Sequence, residues 1–304
     1  MKIVILILFI LSIGFNLYSL FAIHQHPTVN DKILRQKYPF LATRILQEFK
    51  SDILINFLEL RTRMRSQVEP YEDTFAFYFE YLPTGTSVGV NEKAEFPAAS
   101  LLKVPVVMAY RNQVERTGED PDREVSIRSD EIDKTFGTLY KSGAGAKIKL
   151  SEAERLALIE SDNTAARVLT DNVSVDDFSK IYEGLDISLK EGDSGVILTA
   201  KSYASILKSL YFSSLLTKDN SQYILDLLDK SMFNDKLPAG VPGRISVAHK
   251  IGVLGDDLFM DCGIVYIPNR PYLLCMISVS SEDVARERMV KMSKTVYDFV
   301  STRK

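Results

Sequence analysis

Three short runs contain side chains that could do chemistry together. The first is Ser100-Leu101-Leu102-Lys103, inside FPAASLLKVP. On a helix, residues three apart share a face, so the Lys103 amine can approach the Ser100 hydroxyl. A serine needs a base to become a nucleophile. Lysine can be that base once burial or a nearby cation lowers its ammonium pKa from about 10.4. The spacing alone is common: Ser205 and Lys208 share it, as do Ser301 and Lys304, and in such pairs the lysine is usually solvated. The second run is Ser161-Asp162-Asn163, directly before Thr164-Ala165-Ala166 in a helical context. All three residue types cap helices. The third is Lys250-Ile251-Gly252 in SVAHKIGVLG. A lysine on an edge strand commonly blunts that edge against pairing. The glycine beside it could let a substrate approach the backbone.

The elements that must position these runs follow from hydrophobic period. TFAFYFEYL (74–82), then PTG, then TSVGVN, has the pattern of a β-hairpin. From Pro97 to about Arg111 the period is helical, and residues 127–230 read mostly as helices. Among these, SEAERLALIESDNTAARVL offers Ser151 as N-cap with Glu154 three residues on, a capping box. RISVAHKIGVLG, LFMDCGIVYIP and PYLLCMISVS read as three successive antiparallel strands, and SEDVARERMVKMSKTVYDFVSTRK as a closing amphipathic helix. Strands near both ends, with helices between, predict an α+β fold. One antiparallel sheet is flanked by terminal helices, beside an all-helical lobe, with a cleft where the two meet. The expected sheet lobe takes residues 70–97 and 235–304, and the helical lobe residues 98–234. His249, next to Lys250 on a strand, should point to the opposite face.

The rest of the chain bounds its setting. Across 304 residues, 37 Lys and Arg stand against 40 Asp and Glu, a net charge of −3. Such a balance argues against a nucleic-acid surface, which needs a basic excess. Two cysteines and three histidines, with no HExxH, GxGxxG or Walker A string, suggest neither metal nor cofactor. Residues 3–23, IVILILFILSIGFNLYSLFAI, carry no charge. At about 1.5 Å per residue they could cross a bilayer core of roughly 30 Å. Residues 1–30 therefore read as a retained membrane anchor, with a cleaved signal as the alternative, and either exports residues 31–304. Residues 31–69 read as helix, a spacer or the first core helix, with a possible break at Pro39. Cys262 and Cys275 flank the turn IPNRPY and could face each other, though buried small hydrophobes are the commoner use.

Taken in order, SxxK, SDN and KxG resemble the penicillin-recognising serine hydrolases, class A β-lactamases in particular. FPAASLLKV resembles the stretch at that family's nucleophile helix, SDNTAA is its run as it stands, and VAHKIG leads into a glycine-containing strand as it does there. The resemblance covers about residues 70–304. It implies that Ser100 attacks an amide carbonyl and that Lys103 is the base or holds the base network. It implies that Ser161 relays the proton to the leaving nitrogen. Asn163 would bind the substrate's side-chain amide, and Lys250 would supply positive charge beside Ser161 and a substrate carboxylate. Backbone N–H groups of Ser100 and Val253, the latter next to Gly252, would form the oxyanion hole. Phe136 and Tyr140, in FGTLY, fall where the family has its cleft rim.

Two departures qualify what the resemblance implies. Ile251 stands where the family's KTG carries a hydroxyl. No ExxLN string, which supplies the deacylating glutamate of class A enzymes, lies between Asn163 and Thr199. Glu183 and Glu191 are the glutamates of that stretch, and neither has the asparagine partner. The implied activity is attack of Ser100 on a β-lactam amide and hydrolysis of the acyl-enzyme. The alternatives are a peptidoglycan D-Ala-D-Ala carboxypeptidase or transpeptidase, and a β-lactam or cell-wall sensor that stays acylated.

Overall fold

The computed structural model describes residues 36–40, 56–193 and 195–302. The apolar segment 3–23 lies outside them, as do residues 41–55 of the helix expected over 31–69, and Lys304. Among the described residues no helix is long and apolar enough to cross a membrane.

From residue 56 to 69 the chain forms α1 (Leu58–Val68), which runs into a 3₁₀ turn at Glu69–Thr74. The chain then forms β1 (Phe75–Tyr81), β2 (Thr86–Val90) and the two-residue β3 (Phe96–Pro97). A 3₁₀ turn, Ala99–Leu102, leads into α2 (Lys103–Thr117), so Ser100 lies on the turn and Lys103 opens the helix. The short strands β4 (Glu124–Ser126) and β5 (Lys147–Lys149) pair with each other. Next come α3 (Leu150–Ile159), α4 (Asn163–Asp171) and α5 (Val175–Glu183). Strands β6 (Lys190–Gly192) and β7 (Gly195–Leu198) pair, and β7 also pairs with β3. Helices α6 (Ala200–Phe212) and α7 (Lys218–Asp229) follow. The chain closes with β8 (Val247–Leu254), β9 (Leu258–Val265), β10 (Tyr272–Val279) and α8 (Glu282–Thr302).

The five-stranded sheet runs β2-β1-β10-β9-β8, antiparallel at every step. Alternation along β1 shows why it forms. Phe75, Phe77, Phe79 and Tyr81 face one buried cluster, shared with α1 and α8. Ala76 and Tyr78 face the other, shared with α2, α3, α6 and α7. On the first side Phe57 packs against Phe79, Tyr81 and Phe299, with ring centroids 5.5, 5.0 and 5.9 Å away. Each such ring contributes about 1.5–3 kcal/mol by leaving water. These contacts fasten both terminal helices to one face and leave the other for the helical half.

α2 is the centre of that half. Its residues Lys103 to Arg111 are all buried, so no face of that stretch meets solvent. Gly118 ends it at φ 71°, the left-handed cap where glycine has no steric penalty.

Two expectations are corrected. Ser151 does not cap α3. Lys149 holds that position, the Ser151 hydroxyl donates to Asp122, and Glu154 is fully buried against Arg111 of α2. Capping is an exposed, local interaction; here a long-range ion pair takes Glu154 instead. Cys262 and Cys275 are not separate small hydrophobes. They stand directly opposite each other on β9 and β10, Cα atoms 3.9 Å apart, joined as a disulfide.

Candidate active site

Four elements converge on one point. The 3₁₀ turn brings Ser100, the first turn of α2 brings Lys103, the loop before α4 brings Ser161, with Asn163 the first residue of that helix, and edge strand β8 brings Lys250. Lys103 Nζ lies 3.1 Å from Ser100 Oγ, 3.1 Å from Ser161 Oγ and 2.6 Å from Asn163 Oδ1, and also contacts the Ser161 carbonyl. Lys250 Nζ donates to Ser161 Oγ at 2.8 Å and to the Ile251 carbonyl at 3.2 Å.

Four oxygens surround Lys103 Nζ, and an ammonium has three N–H groups. A neutral amine can donate its two N–H groups to the Ser161 carbonyl and Asn163 Oδ1 and keep its lone pair for the Ser100 proton. Burial favours that state. It lowers Lys103 to about 8, against the pull of the Asp162 and Asp133 carboxylates. Lys250 is fully buried and is held well below its ordinary value by that burial and then by the positive charge of Lys103.

Backbone geometry places Ser161. It sits at φ 55°, in the left-handed region, immediately before Asp162 caps α4 by accepting from Ala165 N at 2.9 Å. The other Asp162 oxygen accepts from Thr138 N at 2.6 Å and Leu139 N at 2.8 Å. One carboxylate thereby fixes both the helix start and the loop over it. Gly137, at φ 89°, lets that loop close, since a Cβ there would lie 2.5 Å from the Asp162 Cα. Phe136 in the same loop is partly exposed and packs on Phe233, ring centroids 5.6 Å apart. Tyr140 is half-buried at the end of the loop, its ring beneath the Lys141 ammonium.

On the sheet side, Gly252 is the close-approach position. A Cβ there would lie 2.7 Å from Met260 Cε and 3.2 Å from Leu101 Cγ, so the glycine lets β8 press on the turn carrying Ser100. Val253 is partly exposed beside it. β8 is bonded to β9 on one side only, so alternate backbone groups face outward. Ile251 O, engaged by Lys250 Nζ, is one of these, and Val253, two residues on, presents its backbone in the same direction. His249 is fully buried, with Nδ1 2.8 Å from Asp261 Oδ1.

The competing Ser-x-x-Lys pair resolves differently. Lys208 binds both oxygens of Glu80 at 3.1 Å, while Ser205 donates to its own helix backbone. Glu191 is exposed on β6, opposite Val196 of β7. Among the described residues no group of three or more His, Cys, Asp or Glu side chains is placed to hold a metal. Three residues missed by motif reading, Asp133, Thr135 and Arg167, contact Asn163 directly or through one another.

A sheet edge, a helical lobe and a serine served by two buried lysines define an active-site serine hydrolase. The β-lactamase enzyme family matches residues 59–300, and the chain belongs to it. It is thus a β-lactamase-like serine hydrolase acting on amide bonds. A β-lactamase of Phocaeicola vulgatus is 33% identical over 86 residues, a stretch that spans 27% of each protein. β-Lactamase CARB-3 of Pseudomonas aeruginosa is 20% identical over 278 residues, 85% of this chain and 92% of its own length. Among solved structures, a mutant of PBP-A in an acyl-enzyme complex with penicillin G superposes with a TM-score of 0.74. It is 22% identical, and the match covers 81% of this chain and 97% of that one. A β-lactamase from Chitinophaga pinensis gives 0.72 at 18% identity, covering 79% and 99%. At these identities the structural matches establish the fold.

Proposed function

We propose that a β-lactam amide acylates Ser100 and that the acyl-enzyme is then hydrolysed, slowly. The observation that carries this is the placement of Lys103 Nζ 3.1 Å from both Ser100 Oγ and Ser161 Oγ. Neutral Lys103 takes the Ser100 proton as Oγ bonds to the carbonyl carbon. The C–N bond breaks as Ser161 gives its proton to the leaving nitrogen, and Ser161 is resupplied from Lys103. Lys250, 2.8 Å from Ser161 Oγ, favours the passing negative charge and draws in a substrate carboxylate. Backbone N–H groups of Ser100 and Val253 bind the oxyanion, and Gly252 gives the substrate room along β8. Asn163 holds Lys103 and meets the side-chain amide of the acyl donor.

Slow deacylation follows from the carboxylates near Lys103. Asp162 is occupied by three backbone N–H groups, and Asp133 by Thr135 and Arg167, so neither is free to activate water. The same observation favours a second reading, a peptidoglycan D-Ala-D-Ala carboxypeptidase or transpeptidase. Membrane anchorage through residues 3–23, with residues 31–304 outside the membrane, belongs to the proposal. It is supported by the Cys262–Cys275 bond, since disulfides persist in oxidising compartments.

The test mixes residues 31–304 with a chromogenic cephalosporin and follows colour and intact mass together, with Ser100→Ala as control. The proposal expects a stoichiometric adduct on Ser100 that clears over many minutes. Fast turnover without an adduct would require a deacylating base outside the groups named here. No adduct and no turnover would overturn β-lactams as the acyl donor, and D-Ala-D-Ala peptides would be tried next.

A further inference from the structure

A chain of polar side chains runs outward from Lys103. Asn163 Oδ1 accepts from Lys103 Nζ at 2.6 Å, and Asn163 Nδ2 donates to Thr135 Oγ1 at 2.8 Å. The Thr135 hydroxyl and backbone N–H both donate to Asp133 Oδ1, the latter at 2.8 Å. Arg167 of α4 then donates to Asp133 Oδ2 at 2.6 Å, and the Asp133 backbone N–H donates to Thr164 Oγ1 at 2.9 Å. Asp133 is largely buried, its side chain 11% exposed, while Arg167 is about half exposed. None of Asp133, Thr135 and Arg167 belongs to the three catalytic runs.

An amide can sit either way round, and its partners decide. Turned over, Asn163 would point N–H groups at the Lys103 amine. Thr135 prevents this only while its own hydroxyl proton is committed elsewhere, leaving its oxygen to accept. Asp133 is the acceptor that commits it.

We infer that Asp133 is a positioning residue for acylation: through Thr135 it holds the Asn163 amide oxygen on Lys103, and its charge tunes the base. The inference rests on the reading of Lys103 as the base. The charged groups facing Lys103 are Asp162 from the start of α4, Asp133 from the loop, and Lys250 from β8; Arg167 faces Asp133. The carboxylates of Asp162 and Asp133 both hold Lys103 up. Removing one therefore lets Lys103 lose its proton at lower pH.

The experiment measures acylation by intact mass across pH 5–10 for wild type, Asp133→Asn, Asp133→Glu and Thr135→Val. Asp133→Asn should acylate about tenfold more slowly at its plateau, with the acid limb displaced to lower pH. Thr135→Val should lose rate without that displacement, and Asp133→Glu should recover both properties. Wild-type rate and limb in Asp133→Asn would overturn the inference. So would a uniform loss at all pH that Asp133→Glu does not rescue, because that reports only folding. NMR titration of the Lys103 Nζ in unliganded protein decides the charge effect without a substrate. An unacylated wild type would thus overturn β-lactams as the acyl donor, and an acid limb unchanged in Lys103→Ala the base assignment, while an unmoved Lys103 titration in Asp133→Asn would overturn the inference itself.

Discussion

Lys250 Nζ stands 2.8 Å from Ser161 Oγ, joining the edge strand of the sheet to the loop that opens α4. That bond puts a second buried lysine against Ser161. Ser161 Oγ accepts from Lys250, so its own proton is free to point toward a leaving group.

Ser100→Ala should abolish covalent labelling by any acyl donor. Intact mass after incubation with a cephalosporin is the measurement. An adduct that persists on another residue would reassign the nucleophile.

Acylation should rise with pH through about 8 and then level, because the reactive form of Lys103 is the neutral amine. Lys103→Ala should slow acylation by roughly 10²–10⁴-fold and remove that limb. Stopped-flow or quenched mass measurements across pH 5–10 give both numbers. An unchanged limb in the variant would assign it to another group.

Lys103 also carries a stability cost. Its folded pKa of about 8 lies below the ordinary 10.5, so between those values the unfolded chain binds more protons. Stability therefore rises with pH across that window, and below it the burial of Lys103 costs on the order of 3 kcal/mol. Lys103→Met should raise the melting temperature at pH 7 while removing activity. A lower melting temperature would show that the hydrogen bonds to Lys103 outweigh its burial.

Glu154→Gln should destabilise by about 3–5 kcal/mol, since it strands a buried guanidinium. Arg111 binds Glu154 through both of its oxygens, with the Tyr223 ring 3.9 Å away across the guanidinium. Replacing the pair together, Arg111→Met with Glu154→Leu, should recover much of the loss. Urea melts of the three variants test this, and strict additivity would deny the coupling.

Asp162→Ala should lower stability by about 1–2 kcal/mol from the lost cap alone. It should also reduce acylation, because the same carboxylate holds the Thr138–Leu139 backbone over Asn163. Asp162→Asn, which keeps an acceptor for Ala165 N, should restore more stability than rate. Equal recovery of both would make the carboxylate a cap and nothing more.

The strands and the residues that gather around Lys103 were legible in the sequence because each rests on a short-range pattern. Alternation in FAFYFEY sets the two faces of β1, and the three runs around Ser100, Ser161 and Lys250 each keep their own spacing. What escaped was long-range. Glu154 looks like half of a capping box until Arg111, 43 residues earlier, claims it. Asp133 and Thr135 lie in an unremarkable loop, and only the packing of that loop on α4 brings them to Asn163. Cys262 and Cys275 needed the register of β9 and β10 to show that they meet.

The order of the sheet, β2-β1-β10-β9-β8, has a consequence for the making of the protein. Ser100, Lys103 and Ser161 are all synthesised before the strand that carries Lys250, and β1 waits for β10 before its second edge is covered. Until then β1 offers an open edge to other chains. A ribosome that stops between Ser161 and β10 releases a polypeptide with its nucleophile and no closed sheet. Catalytic competence in this architecture therefore waits on translation through β10.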